Sequence, residues 1–481
     1  MKERHVRRPR FATAVLLSLI ILLALGLRFA CYTGPIGSDD HDYYLAAHEM
    51  YQGIYHPSNN YWKNRFGMIL PIFAFYEAFG TNEFAAAGWP MLCSAGAVMV
   101  CYFLGKSLLD ARTGLLAALL LAFYPLDIHY SGLILPDIPL SFLMAASVLA
   151  FITGCQSEKY GPVLFFVSGL LLAVAYSCRS MAVILLPFLL LYAAVFEKKM
   201  KPSYLLFVLG FLAVTAAEGL YYAANGLSPL HNIRLNARAA IAVNTAGECS
   251  TSLAYYPIVI FRNVNVFGAY FFLFVSAMVV AGIKRERGPL ILLAWAGSIL
   301  LILQFGVVGI HPLIPIVKVR KFLNFATVPL ILLGAWTLMK LRGRYRWTVV
   351  AFLAASSLYF LRPYVYSANG TPEASGSNIR NVVAYLETMP PKPIYADLRT
   401  QAMMMITSRF ELTSDRFRNL YEIGSPEELK DCYVVINRFY AHFDRTNPYA
   451  KVPYFVANYP AGIPPRWRAK DFVQSAVLDV P

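Results

Sequence analysis

The stretch "GPIGSDDHDYYLAAHEM" places Asp39, Asp40 and Asp42 within four positions, directly after a long apolar run. A carboxylate poised beside an acceptor hydroxyl can serve as a general base. A further acid, Asp137, stands in "LPDIPL". A set of bases accompanies them: Arg65 in "YWKNRFGMILP", Arg179 in "CRSMAVILLP", and Arg320 with Lys321 at the start of "KFLNFATVPLILL". Arg234, Arg238 and Arg262 complete it, and His41 and Tyr43 are further candidates for substrate contact. Arginine and lysine can hold a phosphate and stabilise it as it departs. Acids and bases together therefore suggest transfer of a group from a membrane-anchored phosphate to a hydroxyl.

Each residue also has a plain structural reading. Ser38 could cap a helix whose first turn carries Asp39 and Asp40, each charge opposing the dipole by about 0.3–1 kcal/mol. Asp137 beside Pro139 fits the first turn of another helix. Arg179, Arg262 and Lys321 could be interfacial anchors that extend their heads to water. It is the set, falling outside the loops that account for the other charges, that points to a site. A divalent cation is the alternative use of "DDHD" with His48, as Mg²⁺ or Mn²⁺ on carboxylates or zinc on histidine. Ser38–Asp42 reads as one helical turn, however, so its side chains diverge around it, which weighs against a metal and leaves a divalent cation open as an alternative. The sequence contains no HExxH, Walker loop, GxSxG or GxGxxG in a suitable setting.

These residues need elements to position them, and the composition says which. Of 481 residues, 58% are hydrophobic and only 14% charged, against about a quarter charged in a soluble domain. Apolar runs of about 20 residues recur, long enough to cross a bilayer. They fall at 11–30, 83–104, 114–130, 138–154, 162–177, 180–196, 204–223, 257–282, 289–308, 322–339 and 347–362, a mainly α polytopic protein of about eleven spans. The first exceeds the roughly 7–15 residues of a cleavable signal. Alternate loops carry Lys106 and Arg112, Lys159, Lys198 to Lys201, Lys284 to Arg287, and Lys340 to Arg346. This positive-inside pattern puts the N-terminus in the cytoplasm and explains most of the net charge of +15 without nucleic acid.

Two outer loops are long, 31–82 and 224–256, and "GMILPIFAFYEAF" in the first reads as an interfacial segment. Residues 1–362 form the expected membrane domain. Residues 363–481 have ordinary polarity and read as a small extracytoplasmic α/β domain. There "NIRNVVAYLETM" is an amphipathic helix, "PIYAD" and "CYVVIN" are strands, and "SPEELKD" is a capped turn. The seven cysteines are scattered without a CxxC. They form no zinc or disulfide framework, with one pair among Cys31, Cys249 and Cys432 left open.

The order of these motifs resembles the polytopic glycosyltransferases of the GT-C superfamily, in the protein-mannosyltransferase branch that includes the lipid A aminoarabinose transferase. An acidic pair opens the first outer loop and a base follows it; then come an acid before a Pro-Leu step, a base before Leu-Leu-Pro, and a late basic-aromatic-Leu motif. The resemblance implies an inverting glycosyltransferase of a bacterial inner membrane that requires no metal or other cofactor. It would move a sugar from a polyprenyl-phosphate (undecaprenyl in bacteria) to a hydroxyl of a lipid, glycan or protein on the outer face. Asp39 would be the base and Asp40 its support, and Arg65, Arg179 and Lys321 would hold the phosphate. The late motif reads "KFLNF" rather than Arg-Tyr-Leu, which leaves both Arg320 and Lys321 open as phosphate ligands. The chain is shorter, with fewer spans than the aminoarabinose transferases, so that sugar and acceptor are not inherited. A flippase of lipid-linked sugars is the alternative. It would need the cations but not a base, and it favours a midplane site between internal repeats, which are not seen. A scaffold of an envelope-assembly complex would explain the C-terminal domain but not the acids.

Overall fold

The computed structural model describes residues 4–198, 201–245, 252–262, 267–366, 375–445, 452–472 and 474–481. The fold is a polytopic helical membrane protein with a small mixed sheet near the C-terminus. Its first helices are α1 (Arg4–Ala30), α2 (Asp40–Tyr51), α3 (Phe66–Phe79), α4 (Glu83–Leu108), α5 (Ala111–Ala122) and α6 (Pro125–Ser131). There follow α7 (Asp137–Gln156), α8 (Gly161–Cys178), α9 (Leu186–Leu191), α10 (Leu205–Ala224), α11 (His231–Thr245) and α12 (Tyr255–Arg262). Among the described residues seven helices are long and apolar enough to span a bilayer, or eight if α5 and α6, bent by 57°, form one span. Three shorter apolar helices, Phe66–Phe79, Ser180–Phe196 and Tyr270–Lys284, accompany them.

Eleven apolar runs thus become seven or eight full-length spans. The run at 180–196 is a 3₁₀ turn, a short α-helix and a π turn in succession. Of the run at 257–282, the described residues include α12 and the helix Tyr270–Lys284. The last lies in the helix Gly343–Tyr366, which carries Arg344, Arg346 and Arg362 towards its ends. The expected interfacial segment is the helix α3.

By internal contacts the chain forms two units. The first comprises residues 1–31, 56–71 and 89–361, and the second 32–55, 72–88 and 362–481. In the first unit, small residues bring helices together. A Cβ on Gly169 of α8 would lie 1.9 Å from Phe207 O, and one on Gly210 of α10 would lie 2.1 Å from Phe166 O. Ser147 and Ser168 clasp α7 to α8, each hydroxyl donating to the other's carbonyl at 2.9 and 2.8 Å. This is close helix packing of the kind lipid-embedded bundles use.

The α5–α6 break arises at Pro125, which opens α6 and holds Tyr124 extended, as a residue before proline prefers. Arg28, fully buried, satisfies the carbonyls the break exposes. It donates to Ala122 O at 2.8 Å and Leu121 O at 3.3 Å, and pairs with Asp127 at 2.6 Å. Its Nε donates to Ser94 at 2.7 Å.

In the first unit β1 (Val307–Ile310) pairs antiparallel with β2 (Leu313–Pro315). The second unit holds β3 (Ile394–Ala396), β4 (Phe417–Asn419), β5 (Cys432–Asn437), β6 (Arg468–Asp471) and β7 (Ser475–Val480), joined as a five-stranded sheet in the order β4-β3-β5-β7-β6. Strands β3, β4 and β5 run parallel, while β7 is antiparallel to β5 and β6. β5 is buried throughout, and apolar cores cover both faces. The helix Ser375–Glu387 and the strands at "PIYAD" and "CYVVIN" match the sequence reading. So does the turn Pro426–Glu428, with Ser425 and Glu428 forming a capping box. Arg380 grips Glu83 through two bonds of 2.6 and 3.1 Å. Cys31 and Cys432 are free thiols, and Cys249 lies outside the described residues.

Candidate functional site

In the second unit, the acidic cluster sits on the first turn of α2. Asp39, rather than Ser38, occupies the N-cap with helical backbone angles and makes no side-chain cap bond, while Asp40 and Asp42 lie in the first turn, where negative charge opposes the helix dipole. Asp40 is fully buried. Its Oδ2 accepts from Ile36 N at 2.7 Å and Gly37 N at 3.3 Å, while Oδ1 takes no hydrogen bond among the described residues. Burial raises its pKa, opposed only in part by those amides. Asp39 is partly exposed. Asp42 and Tyr43 are buried, and His41 lies 3.7 Å from Asp42.

The loop that feeds α2 is shaped by a glycine. Gly37 has φ +63°, and a Cβ there would meet Met403 Sδ at 2.7 Å and the Tyr440 hydroxyl at 2.8 Å. His48, farther along α2, stacks on Phe410 with centroids 3.6 Å apart. The C-terminal sequence thus packs around the acids, within their own unit.

In the first unit, Asp137 opens α7 fully buried. Arg179 Nη1 donates to its Oδ1 at 3.2 Å, and Lys321 Nζ lies 3.9 Å from its Oδ2. Arg179 also rests over the Phe322 ring at 4.6 Å. Arg320 turns elsewhere, its Nε donating to the Tyr130 hydroxyl at 3.4 Å. Lys321 rather than Arg320 therefore shares a counter-ion with Arg179. Asp137 thus touches both cations at once.

Arg65, 4% exposed, lies 5.0 Å from the Tyr61 ring. Arg65 and Arg179 line one cavity together with Tyr61, Phe322 and, from α11, Asn236 and Asn244. A close approach joins the two arginines. Gly67 abuts the last turn of α8, where a Cβ would lie 2.6 Å from Cys178 N and 2.7 Å from Val174 O. The sequence reading placed Arg234 and Arg238 in the same group, but both are exposed on α11. The Arg262 side chain lies outside the described residues.

Sequence reasoning missed several polar groups. The Arg28–Asp127 pair lay hidden in apolar runs. Glu218, the lone acid in the α10 run, carried a signal, because an ionisable residue in a span is unusual. Asn232 and Asn236 carried none. Among the described residues no three His, Cys, Asp or Glu side chains group as a metal set.

Residues 70–221 match the dolichyl-phosphate-mannose-protein mannosyltransferase family. The structure is similar to that of ArnT from Cupriavidus metallidurans in the apo state, with TM-score 0.64 and 13% identity over 97% of this chain and 98% of that one. It is equally similar to ArnT bound to undecaprenyl phosphate, with TM-score 0.64 and 12% identity over 96% and 97% of the two chains. The oligosaccharyltransferase of Archaeoglobus fulgidus, in complex with Zn and sulfate, matches with TM-score 0.57 and 14% identity, over 89% of this chain and 69% of that one. No curated protein sequence matches the chain.

Proposed function

We propose, for a chain that carries the fold of the GT-C membrane glycosyltransferases, that it transfers a sugar from a polyprenyl-phosphate donor to a hydroxyl acceptor. The observation that carries this reading is the cavity lined by Arg65 and Arg179, with Asp137 joining Arg179 to Lys321. Paired guanidinium groups suit a phosphate monoester or diester. ArnT has been crystallised with undecaprenyl phosphate, a ligand of that class.

In the proposed step, Asp39 accepts the proton of the acceptor hydroxyl. The oxygen attacks the anomeric carbon, the bond from that carbon to the phosphate oxygen breaks, and its electron pair leaves with polyprenyl phosphate. The configuration inverts. Arg65, Arg179 and Lys321 offset the charge that develops on the leaving phosphate. Asp40, held by the amides of Ile36 and Gly37, shapes the loop behind Asp39. Asp137 keeps the cations in place. The reaction takes place on the outer face of a bacterial inner membrane, with the N-terminus cytoplasmic and the sheet-containing C-terminal segment extracytoplasmic. Because arginine and lysine supply the positive charge, chelation by EDTA leaves turnover unchanged.

The test compares wild type with Asp39→Asn in lipid nanodiscs, supplied with polyprenyl-phosphate sugars and an envelope extract. Wild type releases polyprenyl phosphate, and the variant is slower by at least about 100-fold. Wild type that binds donors without ever releasing the phosphate would overturn transfer in favour of lipid translocation. Full activity in Asp39→Asn would remove the base assignment.

A further inference from the structure

One residue of the cavity of Arg65 and Arg179, Asn236, is held by a chain of hydrogen bonds that begins at Glu218. Glu218 of α10 borders an apolar groove of about 1140 Å³ together with Ser177-proximal Tyr176 and α11 residues Asn232 and Ile233. Ser177 Oγ donates to Glu218 Oε1, and Asn232 Nδ2 donates to Oε2 at 3.1 Å. An amide turned that way presents its oxygen on the other side. Asn236, one helical turn on, donates through Nδ2 to Asn232 Oδ1 at 2.6 Å and to Asn232 O at 2.9 Å. Both amide protons of Asn236 are then used, and Oδ1 is left as a hydrogen-bond acceptor.

We propose that Asn236 Oδ1 is a specificity-determining acceptor in the donor cavity, fixed in orientation by the Glu218–Asn232 relay, and that it selects a hydroxyl or amino group on the transferred sugar. This rests on the donor reading above. Asn236 lines the same cavity as Arg65 and Arg179, and a sugar joined to a phosphate held there lies within a few bonds of it. Its neighbours on that face of α11 are Ala239 and Ala240, whose small side chains leave space. Without the relay the amide could turn either way and would not distinguish a donor from an acceptor. A site built to bond a hydroxyl also discriminates strongly against ligands that lack one.

The experiment measures equilibrium binding of the full chain in nanodiscs to undecaprenyl phosphate and to a panel of undecaprenyl-phosphate hexoses and pentoses. The readout is the ratio of the sugar-linked to the bare lipid affinity. Wild type prefers at least one sugar-linked lipid. Asn236→Leu lowers that ratio about tenfold while binding undecaprenyl phosphate as wild type does. Asn232→Leu, which removes the amide that orients Asn236 and leaves the residues lining the cavity in place, lowers the ratio in the same direction. A ratio unchanged in Asn236→Leu or in Asn232→Leu, or absent from wild type that binds the bare lipid, overturns the assignment and leaves the donor reading standing. A wild type that binds neither lipid overturns the donor reading itself.

Discussion

At the scale of single residues, Asp40 joins two demands that conflict. Its carboxyl is fully buried and receives two backbone amides, yet burial still raises its pKa above the ordinary value of 3.8. The folded state therefore holds the proton to a higher pH than the unfolded chain does. The stability this gives is whole below the ordinary carboxylate range and is lost as pH climbs through the raised pKa. Asp40→Asn keeps an oxygen for the Ile36 and Gly37 amides and cannot ionise. It should raise Tm relative to wild type at pH 8, with the gain vanishing towards pH 4, and lower turnover at the same time. A thermal-melt series across that range checks the sign, and a loss of Tm at pH 8 would contradict it. Such a gain in stability at the expense of activity is common at functional sites. Asp39 and Asp40 were legible as a pair in the sequence. Which of them is enclosed was not, because that depends on side chains more than 350 positions away, Met403 and Tyr440 against Gly37.

At the scale of elements, the phosphate-binding candidates depend on how one loop meets one helix. Arg65 precedes α3 and Arg179 follows α8, and Gly67 against Cys178 is what allows both to border a single cavity. A methyl at Gly67 must displace backbone rather than a flexible side chain. Gly67→Ala should cost about 1–3 kcal/mol of stability and weaken binding of undecaprenyl phosphate, as measured by thermal melting and direct binding in nanodiscs. Retained stability and affinity would mean that the loop yields without moving either arginine. The span pattern explains why the element count differed from expectation. Hydropathy counts apolar runs, whereas Pro125 and Pro187 each open a new helix inside such a run and leave shorter elements. Broken helices are tolerated in a membrane only where other groups satisfy the freed backbone. Arg28 does this for α5, a role no local pattern reveals.

At the scale of the whole molecule, the C-terminal segment is more than an appendage. The second unit assembles residues 32–55, 72–88 and 362–481, so the acidic helix α2 shares its core with the sheet-bearing segment. Truncation after Leu361 should abolish turnover as completely as Asp39→Asn does, with the shortened chain still inserted in the membrane. An active truncated chain would show that α2 holds its conformation without His48 on Phe410 and Gly37 under Tyr440. By itself, the sequence determined the membrane class, the strands and helix of the C-terminal segment, and the acids and bases that stand apart from the loop charges. Those follow from local composition, period and the high cost of charge near lipid. Only the tertiary structure decided that Lys321 shares Asp137 with Arg179, that Arg320 turns to Tyr130, and that α11 brings Asn236 to the cavity. Such pairings are set by packing between distant elements, and sequence spacing carries no record of them.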